Sequence, residues 1–99
     1  MKKMRAKNTD VEIVSYPGIA DLYMTEETPI KKATHILPDG GVVDIGIFIS
    51  FVGGYRIGVY LHRDANGKLL KGTLRKFDEP SAEEWFQAMQ RALLGKSLN

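Results

Sequence analysis

With 99 residues, 43% hydrophobic and 26% charged, the chain has the size and composition of one globular domain. No apolar run approaches the ~18 residues of a membrane span, and the absence of cysteine excludes a disulfide scaffold, a thiol nucleophile and a cysteine zinc site. The net charge of +2 is unevenly spread: residues 1–9 carry Lys2, Lys3, Arg5 and Lys7 with no acid, residues 10–54 hold two basic against seven acidic residues, and residues 55–77 hold six basic residues against Asp64 alone.

Residues 1–9 lack apolar periodicity and are expected to form a disordered basic arm. They have no apolar run behind the lysines, so no secretory signal is expected and the cytoplasm is the expected compartment. A single domain is expected over residues 10–95, with a flexible tail at 96–99. The β-branched stretch Val11 to Tyr16 predicts a short strand, closed by the turn signal Pro17-Gly18. Ile19 to Met24 fits a second strand or one helical turn, and Thr25 to Pro29 a loop. Lys32 to Leu37 predicts a strand, and Pro38-Asp39-Gly40-Gly41 a turn.

The alternation then becomes regular. Val42 to Val52 places Val43, Ile45, Ile47, Ile49 and Phe51 on odd positions, the period of a strand, with Gly46 as an expected bulge or bend. Gly53-Gly54 predicts a primed hairpin turn. Tyr55 to Arg63 alternates again, with Ile57, Val59 and Leu61 on one face and Arg56, Tyr60 and His62 on the other. Asn66-Gly67 is a hairpin signal before a strand over Lys68 to Phe77, in which Leu70 and Leu74 are expected to face the core. The period changes after Pro80. Ser81 with Glu84 predicts a capping box, Trp85, Met89, Ala92 and Leu93 form an apolar stripe, and Gly95 ends a helix over 82–94.

These elements predict an α+β domain: an antiparallel β-meander of four to five strands packed against one C-terminal helix. The odd residues of the two central strands offer nine apolar side chains, with Trp85 as the expected keystone above them.

No nucleophile elbow, P-loop, HExxH or dinucleotide fingerprint is present, and no cofactor or metal site is expected. His35 and His62 lie 27 residues apart, too few ligands for a metal site, and a structural or surface role is expected for each. The acidic pairs Glu26-Glu27, Asp78-Glu79 and Glu83-Glu84 fit loops and helix starts, so no enzyme is expected. The candidate site is the face carrying Arg56, Tyr60 and His62, joined by Lys71 and Arg75 from the next strand, with Phe48 and Ser50 nearby. Cations beside aromatic rings on a sheet suit nucleic acid, because rings stack on bases and cations follow phosphates. The alternative is that Tyr60 and Phe48 cover a second helix, the N-terminal segment or a dimer partner.

The stretch from Ile57 to Leu93, with Asp64, Gly67, Lys71 and Ser81-Ala82-Glu83-Glu84-Trp85, resembles the coactivator PC4-like single-stranded DNA-binding domain. That resemblance implies a curved meander and dimerisation through the helix. Tyr55 through Asn66-Gly67 to Phe77 and the helix also resembles the AP2-like arm domain of tyrosine recombinases, which implies a sheet laid in the major groove. The leading expectation is a non-enzymatic module binding single- or double-stranded nucleic acid. The rival is a homodimeric interaction domain whose second sheet face is buried by a partner.

Overall fold

The predicted strands form one antiparallel sheet, in a computed structural model that describes residues 11–14, 17–50 and 53–95. In chain order they are β1 (Val11–Val14), β2 (Lys31–Ile36), β3 (Val42–Ile49), β4 (Tyr55–Arg63) and β5 (Leu69–Asp78), with helices α1 (Pro17–Glu26) and α2 (Glu79–Leu94). The strand order is β1-β5-β4-β3-β2. Strands β2 to β5 are a meander, and β1 adds to its far edge beside β5. The arm at 1–9 and the tail at 96–99 lie outside the described residues.

Ile19 to Met24 is helical rather than extended. Ala20, Tyr23 and Met24 recur at helical spacing and pack on the sheet, and Thr25 Oγ1 bonds back to the Asp21 carbonyl at 3.1 Å. The domain therefore has a helix on each face: α1 lies over β4 and β5, and α2 lies on the opposite face.

Register decides which residues share a face. β3 pairs with β4 so that Ile45 faces Tyr60 and Ile47 faces Gly58. Odd residues of β3 thus lie beside even residues of β4, and the expected common apolar face is split: Val43, Ile45 and Ile47 enter one core, and Ile57, Val59 and Leu61 the other, while Ile49 is exposed. Beneath α2, Val43, Ile45 and Ile47 join Phe77, Ala82, Phe86 and Leu93. Beneath α1, Phe48 joins Ile57, Val59, Leu61, Leu74 and Ala20. Among the described residues, Phe48, Ile45, Leu61, Val43 and Val59 are the largest fully buried side chains, each worth about 1.5–3 kcal/mol of burial.

Other local expectations shift for identifiable reasons. Gly46 sits in regular pairing with Lys32 and Val59, with no bulge. A Cβ there would stand 3.0 Å from Phe48 and 3.2 Å from Met24, so glycine makes room for the ring and for α1. The bulge is instead between His62 and Arg63, which pair with Lys71 and Leu69. Leu70 is the extra residue and is half exposed, whereas Leu74 is buried as expected. Of Gly53 and Gly54, only Gly54 has positive φ (83°), and β3 already ends at Ile49, before Phe51 and Val52, which lie outside the described residues. The Asn66-Gly67 turn forms as expected, its backbone N–H groups at Asn66 and Lys68 donating to Asp64 Oδ1.

Helix α2 begins three residues before the predicted start. Asp78 is the N-cap, accepting from the Ser81 N–H at 2.9 Å, so Ser81 is inside the first turn. Strand β5 runs directly into the helix with no loop. Gly95 closes α2 in right-handed helical geometry (φ −67°), its N–H donating to the Arg91 carbonyl. The helix buries Ala82, Phe86 and Leu93, while Trp85 and Met89 are half-buried beside them and Ala92 is exposed. Phe86, not Trp85, is the sealed centre of the helix–sheet contact. Lys31 pairs with Glu83 at 2.5 Å, tying the helix to the edge strand β2, and Arg63 pairs with Asp21, tying β4 to α1.

Candidate functional site

Alternation on β5 sends Lys71, Thr73 and Arg75 to the α2 face, opposite Leu74. Across the ladder Thr73 faces Tyr60, Arg75 faces Gly58, and Lys71 faces His62. Arg56, Tyr60, His62, Lys71 and Arg75 therefore share one sheet face, and Ile57, Val59 and Leu61 take the other. That face is not bare, because α2 crosses it.

The crossing depends on Gly58. A Cβ there would lie 2.6 Å from Phe77 and 2.9 Å from Trp85, so only glycine lets the indole settle onto the strand. Phe77 and Trp85 stack with centroids 5.3 Å apart at 34°. One side of Trp85 is thereby fixed on the sheet. Its remaining surface, with Met89 one turn later, forms a wall facing Tyr60, Lys71, Thr73 and Arg75. Together these six residues line an open cleft of about 300 Å³.

The cleft brings together Tyr60, Lys71 and Arg75 of the five expected residues. Lys71 Nζ lies 5.8 Å from the centre of the Tyr60 ring, within cation–π range. Burial raises the pKa of the Tyr60 hydroxyl above its ordinary value. No carboxylate is among the described lining residues, and Glu12 of β1 faces Arg75 across the β1–β5 ladder.

Arg56 and His62 do not line it. Arg56 stands four residues from Tyr60, where its guanidinium lies 3.7 Å from Glu79 and donates to the Tyr55 carbonyl. The His62 Nε2 is buried near Gly41, where an added Cβ would come within 3.3 Å. Phe48 is on the opposite face, edge-to-face with Tyr23 of α1 at 5.4 Å, so this ring does cover a second helix. Among the described residues no group of three or more metal-ligating side chains occurs, and no helix is long and apolar enough to cross a membrane.

Thr73, Trp85 and Met89 are the lining residues that the strand pattern alone misses. Thr73 is not among the expected site residues, although its place between Lys71 and Arg75 at strand period puts it on their face. Trp85 and Met89 share a helix face at i and i+4, and only the seat of Trp85 over Gly58 turns that face toward the cations. No family model matches the chain, nor does any curated protein or any solved structure.

Proposed function

We propose that the protein is a small non-enzymatic binding module that contacts nucleic acid through the cleft between α2 and the β4–β5 ladder. The observation that carries this reading is the meeting of two aromatic rings, Tyr60 and Trp85, with two cations, Lys71 and Arg75, in one open cleft. Rings supply a sequence-tolerant surface for bases, and cations supply phosphate contacts whose strength falls with salt. The resemblance to PC4-like and AP2-like domains points the same way.

The test is an anisotropy titration of single- and double-stranded DNA and RNA at two salt concentrations. Affinity for at least one of them should fall steeply with salt, and Lys71→Ala or Arg75→Ala should each flatten the dependence by about one phosphate contact. Salt-independent or absent binding sinks the proposal.

A second reading, association of two copies, is favoured by a different surface. Ile49 is 61% and Leu22 55% exposed, and with Tyr23, Glu26 and Glu27 they line a groove of about 370 Å³ at the end of α1. Sedimentation of the free protein tests it: a dimer that Leu22→Asp dissociates without loss of nucleic-acid binding assigns that groove to self-association.

A further inference from the structure

We infer that the cleft seats one unpaired nucleobase, with the phosphates on either side of it held by Lys71 and Arg75; the inference rests on the nucleic-acid reading above. Single-stranded binding surfaces that take several bases present several rings in a row along a cationic groove. This face does not. Helix α2 occupies the middle of it, Phe77 and Phe86 are sealed in the core, and Phe48 lies under α1. Tyr55 projects from the other face of the sheet, beneath Lys76 Nζ at 4.4 Å. Among the described residues, Tyr60 and Trp85 are the two rings left to meet a ligand on this side.

Size and polarity fit a single planar heterocycle. A cleft of about 300 Å³ is at the small end of ligand sites. Tyr60 and Trp85 offer π surfaces, Met89 an adaptable apolar contact, and the Thr73 hydroxyl a hydrogen bond to a base edge. Lys71 and Arg75 are four residues apart on one strand face, about 13 Å along β5, and bracket Thr73. That spacing places one cation on each side of the seated base rather than both on one phosphate. A base in an intact duplex hides both faces in the stack, so a base entering this cleft must already be unpaired or be extruded.

Trp85 is the single tryptophan of the chain, so its emission reports cleft occupancy directly. The full chain is titrated with a short single-stranded DNA, the same strand as RNA, and the matching DNA duplex, following emission and anisotropy together. Single strands should change Trp85 emission on binding, and the duplex should bind at least about tenfold more weakly because unpairing costs a few kcal/mol. Tyr60→Ala should weaken single-strand binding roughly tenfold to a hundredfold. Lys71→Ala, at an exposed position, provides the variant whose folding is not in question, and should weaken single strands while lowering their salt dependence. Duplex binding as tight as single-strand binding, or binding that leaves Trp85 emission unchanged, overturns the single-base cleft and leaves the nucleic-acid module standing. Absence of salt-dependent binding to all three overturns both.

Discussion

The two faces of the sheet carry helices of different length and close differently. On one face the ten-residue α1 covers β4 and β5, and the row Ile57, Val59, Leu61 and Leu74 beneath it is sealed. On the other the sixteen-residue α2 seals Val43, Ile45 and Ile47 with Phe86 and Leu93, yet leaves Tyr60, Lys71, Thr73 and Arg75 in a cleft at its flank. The difference originates in β4 and β5, where alternation puts Ile57, Val59, Leu61 and Leu74 toward α1 and Tyr60, Lys71, Thr73 and Arg75 toward α2. A helix can dehydrate the first set at no electrostatic cost, whereas covering Lys71 and Arg75 would strip water from two charges. The longer helix therefore rests on Val43, Ile45 and Ile47 of β3, on Gly58 of β4 and on Phe77 of β5, and the chemistry remains beside it.

The strongest way to break this comparison is to empty the sealed part of each face. Phe86→Ala and Phe48→Ala should each cost about 3–5 kcal/mol in urea unfolding, since both rings are within 3% of full burial. Trp85→Ala should cost less than Phe86→Ala, because the indole is partly open to the cleft. Equal losses at Trp85 and Phe86 would mean that the cleft wall is core.

Gly58→Ala sharpens the point about the seat of α2. The added methyl meets Phe77 and Trp85 well inside contact distance, and overpacking of this kind costs about 1–3 kcal/mol. Trp85 emission should shift with the loss, because the ring that must move is the fluorophore.

The helix start gives a smaller effect. Asp78→Ala removes the cap that receives the Ser81 N–H and should cost about 1 kcal/mol in thermal or urea unfolding. Ser81→Ala should change little. A larger loss at Ser81 than at Asp78 would restore the cap to the later position.

The smallest expected effect is the exposed tie between β2 and α2. The hydrogen bond from Lys31, then that from Gln87, holds the Glu83 carboxyl below its ordinary pKa. A group depressed in the folded state stabilises above its unfolded pKa, and that contribution disappears as pH falls through the folded value. Glu83→Gln should therefore be slightly less stable than the parent at neutral pH. The difference should vanish in acid, below the ordinary carboxylate range. At this exposed site added salt should shrink it as well.

Much of the strand content was written in local pattern. The alternation of Ile57, Val59 and Leu61 with Arg56, Tyr60 and His62 fixed which residues of β4 travel together, and the Asn66-Gly67 turn placed β5 beside it. The pairing of odd with even positions between β3 and β4 follows from a register in which Ile49 faces Arg56 and the Ser50 N–H donates to the Tyr55 carbonyl, two residues short of the register a two-residue Gly53-Gly54 turn would set, but with the same parity. Grouping the odd residues of both strands on one face overlooked that parity. The ten residues of α1 were harder to read, because the short stretch Ile19 to Met24 suits a strand or a helical turn until the sheet beneath selects Ala20, Tyr23 and Met24.

The sequence by itself determined the α+β class, the meander, the C-terminal helix and the common face of Tyr60, Lys71 and Arg75, because period and turn chemistry act over a few residues. Tertiary structure alone decided that α2 crosses this face, that Phe86 is sealed while Trp85 is left as a wall, and that Arg56 is drawn to Glu79 and His62 toward Gly41. Those outcomes depend on contacts between residues far apart in the chain, such as Trp85 against Gly58 and Lys31 against Glu83. Such contacts are selected by volume and charge in three dimensions, and no local period encodes them.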